Sequence, residues 1–205
     1  MAELMAGCGR LVVVASRPAD ETLGAGGAIA MWRARGGPLV VVMVSDGGTH
    51  PAAPPAGESV LALRHLGWSQ PSIMRWHLPP GAIASHEQRL VARLRLLLRP
   101  DDRVLARWSD DGDADAAAVA QGVRRAAAHV GCAVAQFPLW RRPAALAAAG
   151  CAREVMLDTP SFWRKRKALT AYRSQLDPCP ETGAPPLPEH VLAPCLLARE
   201  LLVEP

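Results

Sequence analysis

Carboxylates gather at three places in this sequence, each beside a turn. Asp20 and Glu21 follow Ser16-Arg17-Pro18-Ala19, Asp46 opens Asp46-Gly47-Gly48-Thr49-His50-Pro51, and Asp110, Asp111, Asp113 and Asp115 follow Trp108. Brought together, Asp20, Glu21, Asp113, Asp115 and His50 would make an oxygen-rich set that suits a harder divalent cation better than zinc. Arg17 points to another use. A guanidinium has no lone pair to give to a metal and would repel one, whereas it pairs readily with carboxylates. Asp20, with Asp113 or Asp115, could then hold Arg17 through charge-assisted hydrogen bonds. Trp108 and Trp140 lie near these segments and could stack on a sugar ring, although tryptophans more often supply core or interface mass.

Several neighbouring features have plainer readings. Asp20 and Glu21 precede a helical segment, where they would favour its N-terminal dipole and cap its free amides. Gly24-Ala25-Gly26-Gly27 misplaces the third glycine of a GxGxxG loop, so close helix–sheet packing is the expectation there. Asp46 reads as an Asx turn beside the site and His50 as a rim residue. His65, His77, His86 and His129 fall on separate elements with no spacing to unite them, and Arg164-Lys165-Arg166-Lys167 reads as a solvated helix face open to an anionic partner. The five cysteines, Cys8, Cys132, Cys151, Cys179 and Cys195, are odd in number and contain no CxxC pair. They read as reduced thiols.

The elements that must position these residues alternate. Leu11–Ala15 is a buried strand, 21–35 a helix closed by Gly36-Gly37, and Leu39–Val44 a second strand, which together make a βαβ unit. Helices follow over 58–66 and 85–98, strands over 73–76 and 103–106, an alanine-rich helix over 114–129, a strand over 133–137, a weak strand over 154–157, and a basic helix over 161–174. Residues 177–188, rich in Pro and Gly, form an irregular excursion, and 191–203 is expected to dock as a helix or broken helix. Such alternation implies an α/β single domain spanning 1–205, with a mostly parallel, Rossmann-like sheet flanked by helices. In such a sheet the ligand crevice lies beyond the carboxyl ends of the strands, which puts the three acidic turns on one rim.

Half of the 205 residues are hydrophobic, enough for one continuous core. No run of eighteen or more apolar residues spans a bilayer and the start has no signal-peptide core, so a soluble, cytoplasmic protein is expected. The net charge of +4 is mild and dispersed, and no nucleic-acid-binding motif accompanies it. Oligomeric state is left open.

Five stretches, in order between residues 15 and 175, resemble the LmbE/PIG-L family of zinc-dependent N-deacetylases. Ala15-Ser16-Arg17-Pro18-Ala19-Asp20-Glu21-Thr22-Leu23-Gly24 is similar to that family's Ala-His-Pro-Asp-Asp-Glu-Thr-Leu-Gly, and Ser45-Asp46-Gly47 through His50-Pro51 to its Thr-Asp-Gly-x-x-x-His-Pro. Trp108 to Ala116 matches Trp-x-x-Asp-Gly-His-Pro-Asp-His, and Phe137-Pro138-Leu139-Trp140 matches Tyr-Pro-x-Trp. Lys167-Ala168-Leu169, then Tyr172-Arg173-Ser174-Gln175, looks like the family's closing helix.

The resemblance implies hydrolysis of an N-acetyl group from an amino sugar or sugar-like amide, at a zinc held by two histidines and an aspartate, with an aspartate as base and a further histidine at the oxyanion. Here the first ligand position is Arg17, the base position Ala19, the retained carboxylate Asp20, the oxyanion position Asp113, and the last ligand position Ala116. The expectation is a degenerate member of the family, with no catalytic residue set intact, no metal or other cofactor, and a role as a ligand-binding or partner-binding domain for a small sugar-like molecule or a protein. The residues of that vestigial cleft would be Arg17, Asp20, Glu21, Asp46, His50, Trp108, Asp113, Asp115 and Trp140. The alternative is an active deacetylase whose carboxylate-rich site has been rebuilt around a divalent metal such as zinc.

Overall fold

The β-branched run of Arg10–Ala15 (β1) forms the buried centre of the sheet. Its side chains alternate: Leu11, Val13 and Ala15 enter one core cluster, Val12 and Val14 the other. The structure, a computed structural model, describes residues 7–47, 55–140 and 152–204; His50 and Cys151 lie outside them. After β1 come α1 (Asp20–Ala34), β2 (Leu39–Met43), α2 (Ala56–His65), β3 (Ile73–Arg75), a 3-10 turn (Ile83–His86), α3 (Glu87–Leu97), β4 (Asp102–Arg107), α4 (Ala114–Val130) and β5 (Ala133–Phe137). The remaining elements are β6 (Ala152–Met156), α5 (Thr159–Leu169), the short α6 (Arg173–Leu176), α7 (Glu189–Cys195) and β7 (Arg199–Val203). Residues 177–188 carry no helix or strand.

These strands form one seven-stranded sheet in the order β3-β2-β1-β4-β5-β7-β6. β1 pairs in parallel with β2 and β4, as do β2 with β3 and β4 with β5, whereas β7 is antiparallel to both β5 and β6. One core cluster packs α1, α2 and α5 on one face, and the other packs α3 and α4 on the opposite face. The βαβ reading and the two-faced cover are therefore observed. No described helix is long and apolar enough to cross a membrane.

Local chemistry sets the helix ends. Asp113 caps α4 by accepting the Ala116 N–H at 2.9 Å, and α4 ends at Gly131 in the left-handed region (φ 85°). Asp158 caps α5 by accepting the Ser161 N–H at 2.8 Å. α1 is different: its N-cap, Ala19, is itself left-handed (φ 81°) and makes no side-chain cap, so Asp20 does not act as a cap for the helix amides.

Two expectations are corrected. The helix or broken helix expected over 191–203 stops at Cys195, just after Pro194, which has no N–H to donate, and Arg199–Val203 instead enters the sheet as a strand. An apolar run this short fits either state, and a place between two strands decides it. The basic run on α5 is not wholly solvated, because Lys165 is buried and its Nζ donates to Glu200 Oε1 at 2.7 Å. The glycine-rich start of α1 does serve close packing. A Cβ at Gly24 would collide with the Phe137 ring of β5, and one at Gly27 with Leu157.

Candidate functional site

Strand order reverses at β1, whose neighbours are β2 on one side and β4 on the other. The crevice between the carboxyl ends of β1 and β4 is thus the switch point at which open α/β sheets bind ligands. Arg17 leaves β1 there and Arg107 ends β4 there.

The two arginines share their carboxylates. Arg17 Nη2 lies 2.8 Å from Asp113 Oδ2, and its Nε lies 3.7 Å from Asp20 Oδ1. Arg107, with a fully buried side chain, donates from Nε to Asp111 Oδ2 at 2.8 Å and from Nη1 to Asp113 Oδ2 at 3.2 Å. The same Nη1 lies 3.6 Å from Asp20 Oδ1. Other donors fix the carboxylates in turn. Ser16 Oγ donates to Asp20 Oδ2 at 2.5 Å, and the backbone N–H groups of Leu139 and Trp140 donate to Asp111 at 3.0 and 2.8 Å.

The electrostatics follow. Burial pulls the Arg107 pKa down, but the charges of Asp20, Asp113 and Asp111, together with the Asp111 hydrogen bond, outweigh it and leave it above its ordinary value. Burial likewise raises the Asp113 carboxyl, while the Ala116 N–H and the two guanidinia pull it below its usual range. Arg107 and Asp113 therefore both stand charged at neutral pH.

Trp140 lies over this cluster. Its ring centroid is 5.9 Å from the Arg17 guanidinium carbon and 6.0 Å from that of Arg107, within cation–π reach. His190 of α7 meets the same ring edge-on at 6.2 Å.

The other described cleft residues named above make other contacts. Glu21 points away from the crevice: fully buried, it accepts from the Tyr172 hydroxyl and from Thr22 Oγ1, the latter at 3.0 Å. A side chain next to Asp20 on a helix faces about 100° away from it, and here that direction is the core. Burial pushes the Glu21 carboxyl up to about 7. Asp115 does not hold Arg17; its carboxylate accepts the Gly81 and Ile83 N–H groups at 2.6 and 3.2 Å and ties α4 to the 3-10 turn. Asp46 contacts His77 Nδ1 at 2.6 Å and Arg75 Nη1 at 3.3 Å; the residue-48 N–H that its expected Asx turn would use lies outside the described residues. Trp108 is half-buried, and its backbone N–H extends the β4–β5 ladder by donating to Phe137 O at 2.9 Å.

The sequence reading gave no role to Arg107 or Asp111, although Asp111 falls on the aspartate of the Trp-x-x-Asp-Gly stretch. The local signal for Arg107 is an arginine at the end of a buried strand, four residues before that aspartate.

These residues do not fit a zinc ion. Zinc needs several donors converging at about 2.0–2.2 Å, yet Asp20 and Asp113 face guanidinia, and Ala19 and Ala116 offer only methyl groups. Among the described residues no group of three or more His, Cys, Asp or Glu side chains could hold a metal.

Neither any family model nor any curated protein matches this sequence. Among solved structures, the conserved protein TT1542 from Thermus thermophilus superposes at TM-score 0.70 and 23% identity, over 95% of this chain and 94% of that one. The A40926 pseudoaglycone deacetylase Dbv21 gives TM-score 0.70 at 17% identity, over 96% of each chain. The N,N'-diacetylchitobiose deacetylase from Pyrococcus horikoshii gives 0.61 at 18%, over 82% of this chain and 70% of that one. The fold is therefore the LmbE-like one shared by TT1542 and by the deacetylases Dbv21 and N,N'-diacetylchitobiose deacetylase.

Proposed function

We propose that this chain is an LmbE/PIG-L deacetylase homologue in which an ion-pair cluster has taken the place of the metal centre, so that it binds a small sugar-like ligand without hydrolysing it. One observation carries the reading: the carboxylates left at the family's metal and oxyanion positions, Asp20 and Asp113, are both engaged by Arg17 and Arg107. A metal hydrolase needs its ion to bring the pKa of a water from 15.7 to about 7 and needs a base beside it. Here the base position is Ala19.

What remains suits recognition. Fixed charges around a crevice, with one tryptophan ring on its wall, can hydrogen-bond sugar hydroxyls and cover a sugar face. The fold also serves an N,N'-diacetylchitobiose deacetylase and a pseudoaglycone deacetylase, which supports a sugar-like ligand.

The test is zinc content per chain after metal-free purification and zinc reloading, with acetate release from N-acetylglucosamine and N,N'-diacetylchitobiose assayed in parallel. The expected result is no stoichiometric zinc and no metal-stimulated turnover. Tight one-to-one zinc with acetate release that disappears in Asp20→Ala would overturn the proposal. The combined Arg17→His, Ala19→Asp, Asp113→His and Ala116→His variant asks the converse, and zinc uptake there but not in the parent is the expected outcome.

A further inference from the structure

We infer that the ligand of this crevice carries an anionic oxygen group, a carboxylate or a phosphate, on a sugar-sized ring; this rests on the metal-free reading above. Arg107 commits Nε to Asp111 and Nη1 to Asp113, while its Nη2 is buried with no hydrogen-bond partner among the described residues. A buried donor left unmatched costs free energy, and one on a guanidinium is best matched by an anion. Arg17 brings a second guanidinium, tied to the first through Asp113, with its side chain 38% exposed.

By formal charge, among the described residues, three carboxylates beside two guanidinia oppose an anion, but these carboxylates are not bare. Asp111 accepts two backbone N–H groups, Asp113 the Ala116 N–H, and Asp20 the Ser16 hydroxyl and the Arg17 N–H. Asp20 and Asp113 also stand at the starts of a 15-residue and a 17-residue helix, each carrying roughly half a positive charge. The formal surplus of one negative charge is thereby offset, and Arg17, whose side chain is 38% exposed, is the cation that a ligand meets first, with the buried Nη2 of Arg107 behind it. The Trp140 ring, 39% exposed and beside both guanidinia, supplies a face for the rest of the ligand. One anionic arm for the arginines and one ring for the tryptophan describe a sugar acid or a sugar phosphate.

The experiment is calorimetric titration of the full chain with glucuronate, glucose 1-phosphate and glucose, for the parent and for Arg17→Gln, with circular dichroism to confirm that both are folded. At least one of the two anions should bind about tenfold or more tightly than glucose, a difference of about 1.4 kcal/mol, and Arg17→Gln should erase that preference. Preference for glucuronate identifies the carboxylate and preference for glucose 1-phosphate the phosphate. Glucose binding as tightly as both anions, no binding of either anion, or a preference untouched in Arg17→Gln would each overturn the inference. None of these three results would disturb the metal-free reading, which fails only on zinc uptake with acetate release.

Discussion

Arg107 shows what a single buried cation demands of its surroundings. An unpaired charge at that depth is too costly to keep, and Asp111, Asp113 and Asp20 supply the compensation from two different loops. Glu21 poses the opposite problem, an acid with no cation paired to it among the described residues. Its Oε2 has no hydrogen-bond partner among the described residues, and burial raises its pKa to about 7, against an ordinary value of 4.5. Below pH 4.5 the folded and unfolded chains both hold the proton, and the full stability is present. As pH rises towards 7 the unfolded chain releases that proton before the folded one does, so stability falls by up to about 3 kcal/mol and then levels. Urea unfolding at pH 4.5 and pH 7.5 measures this, and Glu21→Gln should remove most of the difference between the two.

At the scale of elements, α1 depends on small residues to lie close to the sheet. Gly24→Ala would gain about 1 kcal/mol of helix propensity but place a methyl group inside the Phe137 ring position. Overpacking of that kind costs about 1–3 kcal/mol, so a net loss is expected, read as a lowered denaturation midpoint. A measured gain would mean that Phe137 can move aside freely. Close packing at this glycine stretch was legible in the sequence, since its spacing fits no phosphate loop. So was the parallel half of the sheet, because βαβ units announce themselves through local periodicity. The pairing of Arg17 was legible in part: the family resemblance placed it near the acidic turn and charge complementarity left Asp113 or Asp115 as its partner, of which the fold uses Asp113. Arg107 was not, because a strand-end arginine looks like any surface cation until the fold buries it. Nor was the turning of Glu21 into the core and of Asp115 towards the 3-10 turn, since adjacent residues on one turn or helix face different directions and the sequence does not say which faces the crevice.

Across the whole molecule, β7 is joined to the rest by charge as well as by its ladder. Glu200 on β7 accepts from Lys165 Nζ of α5 at 2.7 Å and from the Gly27 and Ala28 N–H groups of α1 at 2.6 and 2.9 Å. Lys165→Met would leave Glu200 charged and buried, a change worth about 3–5 kcal/mol; chemical denaturation checks it, and a loss under about 1 kcal/mol would mean that water reaches the carboxylate. The placement of β7 was the part of the fold least accessible to sequence reasoning, because both of its partners lie far away along the chain.

That placement fixes an order of assembly. The ribosome makes β5 and β6 well before β7, yet neither touches the other in the finished sheet. Until residues 199–203 have emerged, β5 presents an open row of amides and carbonyls and β6 has no neighbour at all. A nascent chain halted short of that point holds a parallel lamina with an adhesive margin, ready to pair with another copy, and the last strand closes that margin when it slides in.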